Sequence, residues 1–310
     1  MNGIMNRAKK GLYHFNKNKE LLFLTLPGLL LIIIFNYIPM FGLQVAFKNY
    51  TYDKGIWGSE WIGFKNFEFF FTSQDAFRVT RNTILYNMAF IITGTVAALV
   101  VALVLCELSK KSVKIFQTAF LTPYFLSWVV VSFVLYAFLS TDHGVLNQLI
   151  TSFGGKAITW YNEPGAWPPI LVICSLWKSV GYTSIIYYTG LMGIDPTYYE
   201  AAQIDGASRL QRIRYISIPG LRTLITLLII LAIGRIFYSD FGMFYFLPRD
   251  SGILYKSIDI IDLFVYRALR KTGDVGMASA AGAYQSLVGF VLVLITNRIV
   301  KKIDESSSLF

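Results

Sequence analysis

The 310-residue sequence predicts an all-α membrane protein with six transmembrane helices, and three observations carry that prediction. Hydrophobic residues make up 55% of the chain against 15% charged, and mean hydropathy is +0.53, a balance that argues against a water-soluble globule. Apolar runs close to the roughly 20 residues needed to cross about 30 Å of hydrocarbon recur six times. No repeat, low-complexity tract or soluble domain of any size separates them, so the chain reads as one membrane domain, about 21–300. A basic segment precedes it (1–20) and a short tail follows (301–310).

The first span runs from about Leu21 to Phe41, behind Arg7, Lys9, Lys10, Lys17 and Lys19. A signal peptide would have an apolar core of about 7 to 15 residues ending at small residues. This run instead continues through Phe35-Asn-Tyr-Ile-Pro-Met and reads as an uncleaved span. The second span, about Asn82 to Cys106, carries Gly94, Ala98 and Ala102 at four-residue spacing, a stripe suited to close helix contact. The third, about Val113 to Leu139, is long enough to tilt. The fourth runs from about Pro169 to Met192 and the fifth from about Leu221 to Met243. The sixth, about Met277 to Thr296, has a second small stripe at Ala278, Gly282 and Ser286. The loop from about Gly42 to Arg81 is dense in aromatics (Tyr50, Tyr52, Trp57, Trp61, Phe64, Phe67, Phe69, Phe70, Phe71), which favour the membrane interface or packing.

Net charge is +10, which in a soluble chain would point to nucleic acid. Here it sorts by loop. The amino-terminal stretch, the turn Lys110-Lys111-Lys114, the loop with Arg209, Arg212, Arg214 and Arg222, and the tail Arg298-Lys301-Lys302 hold about 15 of the 28 cations. By the positive-inside rule these four segments and both termini are cytoplasmic, facing anionic inner-leaflet lipid in the plasma membrane, with no nucleic-acid partner. Glu107, beside Lys110 and Lys111, reads as a solvated or paired interfacial charge. Cys106 and Cys174 lie in apolar runs and read as buried small hydrophobes, and His14 and His143 are the only histidines. That supply of ligands and nucleophiles predicts no metal site and no catalytic residues.

The most informative stretch lies between the fourth and fifth spans, about 195–220. Thr197 and Glu200 have capping-box spacing behind Pro196, and Gly206 can end a helix in the left-handed conformation. Ser208 and Gln211 repeat the spacing for a second helix, which Pro219 closes. Two start signals and a stop in a cytoplasmic loop point to a docking element. The series Glu200-Ala201-Ala202, three residues, Gly206, nine residues, Ile216, one residue, Ile218-Pro219 resembles the EAA loop of permease subunits of binding-protein-dependent ABC importers. Ile218 stands where that family more often has Leu. Four flanking stretches resemble the carbohydrate-uptake branch: Tyr37-Ile-Pro-Met-Phe-Gly, Ala46-Phe-Lys-Asn-Tyr, Trp61-Ile-Gly-Phe-Lys-Asn-Phe and Trp177-Lys-Ser-Val-Gly-Tyr. The narrower resemblance is to permeases of complex-oligosaccharide and lipoprotein-like sugar systems of Gram-positive bacteria.

The resemblance implies a type I ABC importer permease fold and a coupling helix about Tyr198 to Ala207. Tyr199, Glu200, Ala201, Ala202, Asp205, Gly206, Ala207 and Pro219 then form the coupling set. It also implies a second homologous permease in a heterodimer, a cytoplasmic ABC ATPase dimer and an extracellular solute-binding lipoprotein. The chain has no G-x-x-x-x-G-K-[ST] loop, so ATP and Mg are expected on the ATPase, with no cofactor bound here.

Charges at bilayer depth cost at least about 2.5 to 3.5 kcal/mol and turn toward protein or water. Lys178 in the fourth span and Arg235 and Asp240 in the fifth are such charges. One reading makes Arg235, Tyr238 and Asp240 sugar-facing groups of a water-filled path; the other pairs Lys178 or Arg235 with Asp240 to fix helix positions. Tyr124, Trp128, Trp177 and Tyr182 are aromatic candidates for the same path, against a packing role. An ion-coupled carrier would show internal repeats and broken helices, and neither is evident in the sequence. A membrane enzyme lacks its catalytic groups, and an importer for a non-sugar solute would leave the sugar-type motifs unexplained.

Overall fold

The structure, a computed structural model, describes residues 18–68 and 72–303. Most of the amino-terminal cations, His14, the end of the tail and Phe69, Phe70 and Phe71 therefore lie outside the described residues. Among the described residues, four helices are long and apolar enough to cross a bilayer: α1 (Lys19–Phe47), α2 (Gln74–Cys106), α6 (Pro164–Met192) and α12 (Val275–Ile303). Two bent pairs raise the number to as many as six if each counts as one span: α3 (Lys110–Phe125) with α4 (Trp128–Leu139), and α8 (Arg209–Gly220) with α9 (Arg222–Gly234). Shorter helices are α5 (Val145–Ser152), α7 (Pro196–Ile204), α10 (Phe241–Phe246) and α11 (Ile261–Arg267). By Cα packing the chain forms two compact units, one of residues up to Phe67 with Asp274–Ala283, the other of Glu68–Gly273 with the residues from Tyr284.

The bends correct two expectations. The third segment does not tilt as one rod: α3 and α4 meet at 100°. Pro123 opens a tight turn at the end of α3, and the Ser127 hydroxyl accepts the Val130 N–H (3.3 Å) to start α4 afresh. The fifth segment is helical only to Gly234, unwinds over 235–240, and resumes as α10 with Asp240 as its cap. Unbroken spans therefore give no argument against an ion-coupled carrier. Wide π turns at Ile33–Tyr37 and Ile213–Ser217 each lie two residues ahead of a proline, Pro39 and Pro219, whose ring and missing N–H disturb the preceding turn.

In the smaller unit, α1 leads into a two-residue antiparallel ladder, β1 (Lys48–Asn49) with β2 (Glu60–Trp61), a small exception to the all-α expectation. Phe47 packs against Trp61, Phe64 and Phe67 at centroid distances of 5.3–6.4 Å. Lys48 is buried, because its ammonium donates to the Ile56 carbonyl (2.7 Å) and lies over the Trp61 ring.

In the larger unit, α2 and α6 pack along each other and frame two cores. One gathers Tyr86, Val131, Trp167, Leu171, Phe244 and Ile258, and the other Ala98, Ala102, Tyr187, Leu191 and Leu221. The first small stripe thus meets protein at Ala98 and Ala102, while Gly94 opens onto a cavity. In the second stripe, a Cβ on Gly282 would meet nothing within 4 Å of this chain. The close approach is at Gly289, where a Cβ would lie 2.8 Å from the Gly234 carbonyl oxygen. Cys174 is buried as expected, but Cys106 is exposed, because α2 ends there beside a second cavity.

Candidate functional site

Unwinding 235–240 frees backbone groups that hydrocarbon cannot satisfy, and side chains from other helices take them up. The Asn87 amide on α2 donates to the Ile236 carbonyl (2.9 Å), the Thr83 carbonyl (2.9 Å) and the Ser239 hydroxyl (2.8 Å). Gln285 on α12 donates to the Phe237 carbonyl (2.6 Å), and Asp262 on α11 accepts the Ser239 N–H (3.0 Å). The Tyr238 and Ser286 hydroxyls lie 2.7 Å apart. The break is therefore built into the fold by at least three other helices.

A second cluster sits at the bend between α3 and α4. The Lys178 ammonium on α6 donates to the carbonyls of Tyr124 (2.7 Å), Leu126 (2.6 Å) and, at longer range, Pro123 (3.5 Å). The Pro123 carbonyl still accepts the Leu126 N–H (3.2 Å), and the lysine satisfies the Tyr124 and Leu126 carbonyls at the bend, completing the end of α3. The same ammonium lies 5.7 Å from the Tyr124 ring centroid and 5.2 Å from that of Trp128. The Trp128 indole N–H donates to Asp240 Oδ2 at 2.5 Å, and Asp240 Oδ1 accepts the Met243 N–H at 3.3 Å. Tyr124 stacks on Tyr182 at 4.7 Å and 11°. Lys178 and Asp240 are thus linked through Trp128 and make no direct ion pair among the described residues.

These groups border a cavity of about 650 Å³ between α2, α6, α9 and the unwound segment. Of the residues singled out from sequence, Tyr182, Arg235, Tyr238 and Asp240 line it. Tyr124, Trp128 and Lys178 join it through the stacking and hydrogen bonds just described, whereas Trp177 lies off its lining and is 44% exposed. Sequence reading missed Asn87 and Ser179, also on the lining. Trp128→Phe is expected to lower stability by about 1 kcal/mol, since it strips a hydrogen bond from the exposed Asp240 carboxylate. Thermal unfolding of the purified protein in detergent checks this, and an unchanged midpoint would refute it.

At the far end of α2 and α6 lies the helical loop. Its first cap differs from expectation: Asp195 accepts the Thr197 N–H (2.9 Å) and Pro196 takes the first helical position, so Thr197 and Glu200 are already inside α7. That backbone hydrogen bond holds the Asp195 carboxyl below its usual range. Gly206 ends α7 at φ +76°, with the Ala207 N–H bonded to the Ala202 carbonyl (2.9 Å). Ser208 and Gln211 form the expected reciprocal capping box. Pro219 lies in the last turn of α8, and the chain bends by 60° into α9 directly after it. Tyr199 reaches Ser217 (3.0 Å), and Glu107 at the end of α2 pairs with Arg209 (3.8 Å). Tyr199, Glu200, Cys106 and Arg212 line a cavity of about 440 Å³ under the loop. Tyr198, Ile204, Leu210 and Tyr215 are each more than three-fifths exposed.

Comparison with known proteins agrees with this architecture. Residues 108–305 match the family described as the binding-protein-dependent transport system inner membrane component. Protein LplB of Bacillus subtilis (strain 168) is 36% identical over 93% of this chain and 91% of LplB. The polygalacturonan/rhamnogalacturonan transport system permease protein YteP of the same organism is 34% identical, over 96% of this chain and 93% of YteP. A chain of a bacterial alginate ABC transporter, crystallised with an alginate pentasaccharide-bound periplasmic protein, superposes with a TM-score of 0.85. Identity there is 30%, over 94% of this chain and 97% of that one. A second structure, a bacterial ABC transporter involved in import of the acidic polysaccharide alginate, gives 0.87 at 30% identity, over 95% and 99%. The fold is that of a type I ABC importer permease. This chain therefore belongs to the binding-protein-dependent transport system inner membrane components: it is a multi-pass membrane permease of an ABC importer, a transport subunit whose ATP is hydrolysed by a separate subunit.

Proposed function

We propose that this permease imports oligosaccharides handed over by an extracellular solute-binding lipoprotein. It works as a heterodimer with a second homologous permease, seated on a cytoplasmic ABC ATPase dimer that holds the ATP and Mg. The observation that carries this reading is the shared use of two helices. α2 and α6 line the 650 Å³ cavity near Gly94 and Tyr182 and also frame the helical loop near Cys106 and Met192. From Tyr182 to Met192, the end of α6, is about 15 Å of rise at 1.5 Å per residue, so a shift of the adjoining loop is delivered to the cavity by a rigid element.

In this mechanism the exposed Tyr198, Ile204, Leu210 and Tyr215 dock the loop on the ATPase, with Glu200, Ala201, Ala202 and Asp205 shaping the face they share. ATP-driven closure moves α7, and the spans reorient about the cavity by alternating access. The loop then faces the cytoplasm with both termini, as the cation distribution predicts. The named relatives support saccharide cargo: one is a polygalacturonan/rhamnogalacturonan permease, and the superposed transporters import alginate. The test is uptake of labelled oligosaccharides by proteoliposomes holding both permeases and the ATPase. Uptake is expected only with binding protein and ATP supplied; uptake without either, or driven by an ion gradient alone, would reject the proposal.

A further inference from the structure

We infer that the cavity selects saccharides bearing a carboxylate, and that Arg235 is the group that reads it. The inference rests on the saccharide reading above and deepens it. Most polar groups around the cavity already have partners. Lys178 spends its ammonium on the carbonyls of Pro123, Tyr124 and Leu126. Asp240 uses one oxygen on the Trp128 indole and the other on the Met243 N–H. Lys178 and Asp240 also carry opposite charges across the Trp128 ring, so together they contribute little net charge. Asn87 is occupied by the unwound segment, and the Tyr238 hydroxyl by Ser286.

Arg235 differs from all of these. It lines the cavity at the first residue of the break, and among the described residues its guanidinium has no ion pair, no hydrogen bond and no ring beneath it. Its position follows from the end of α9 at Gly234, which leaves Arg235 at the start of the unwound segment beside the cavity. The result is a concave site with one uncompensated positive charge and aromatic neighbours in Tyr182 and Tyr238. A guanidinium is a planar fork that matches a carboxylate bidentately, and flanking rings suit the apolar faces of a pyranose. A neutral sugar would leave the cation without a counter-charge, whereas a uronic acid residue supplies one.

The test uses the full transporter with its own binding protein in proteoliposomes, wild type against Arg235→Gln and Arg235→Lys. The probes are a trigalacturonate and its methyl ester. Arg235→Gln is expected to raise KM for the acid at least tenfold and to leave KM for the ester within about twofold. Arg235→Lys, which keeps the charge without the fork, is expected to fall between. If the wild type does not carry the ester, the order of wild type, Lys and Gln with the acid decides. Equal loss on acid and ester, no change on either, or loss of the second permease from purified Arg235→Gln complex would overturn the inference. In the last case the arginine serves the partner interface. A wild-type transporter that carries neutral oligosaccharides but no uronates would also overturn it while leaving the saccharide reading intact. Failure to carry any saccharide, acidic or neutral, would remove both.

Discussion

Replacing Gly206 with valine is expected to reduce substrate-stimulated ATP hydrolysis and uptake to background while leaving the spans folded. Gly206 sits at φ +76°, a conformation costing an L-residue roughly 1 to 2 kcal/mol and worse for a β-branched one. A Cβ there meets nothing within 4 Å, so the effect is confined to the backbone angle. The chain relieves it by leaving the left-handed region, which turns α7 away from α8 and breaks the Ala207 to Ala202 hydrogen bond. In the proposed mechanism the ATPase then meets a loop of the wrong shape. Gly206→Asn is the control, because asparagine tolerates this region, and it should retain most of the activity. Valine and asparagine variants behaving alike, in ATPase assays of the reconstituted complex, would show that loop shape is not what couples the two subunits.

The largest effect on folding is expected at Gly181. A Cβ on this residue would lie 2.0 Å from the Phe120 carbonyl oxygen, 2.3 Å from its carbon and 2.9 Å from the Leu121 nitrogen. All three are backbone atoms, so no side chain can rotate to make room, and α6 has to separate from the end of α3. Overpacking of this kind costs typically 1 to 3 kcal/mol, and with only backbone opposing, Gly181→Ala is expected to lose roughly 3 kcal/mol. Separation would also pull Lys178, less than one turn away, from the carbonyls of Tyr124 and Leu126. The measurement is the yield and thermal midpoint of monodisperse protein, against Gly94→Ala, where a Cβ meets nothing within 4 Å. Similar midpoints for the two alanine variants would sink the argument.

These two glycines differ in how readable they were. Gly206 was legible because its spacing to Glu200, Ser208 and Pro219 is local, and helix signals act over a few residues. Gly181 carries no local mark: its role depends on Phe120, some 60 positions earlier. The same division runs through the fold. Hydropathy located all six apolar segments, since burial in lipid is a sum over about 20 residues. It hid the two breaks, because Leu126-Ser127 and the stretch after Gly234 sit within apolar runs. Their signals, Pro123 with Ser127 and Gly234 with Asp240, are ordinary stop and cap residues read against a continuous apolar background. Asn87, Asp262 and Gln285 were missed for a different reason: each satisfies backbone freed by a break that had not been foreseen. The Asp195 cap is legible in the sequence, because aspartate ahead of a proline is a stronger helix start than the Thr197 and Glu200 spacing.

The helix α2 has 33 residues. At 1.5 Å per residue it is about 50 Å long, against about 30 Å of hydrocarbon, so even when tilted it reaches both membrane surfaces. One end carries Arg78, which pairs with Asp75 (2.7 Å) and approaches the buried Asp259 (3.7 Å). The other end abuts Glu107, which pairs with Arg209. A single stiff rod joining the two surfaces makes them one thermodynamic system. A ligand or partner that favours one position of the rod at either end changes the affinity for whatever binds at the opposite end, and the coupling is equal in both directions.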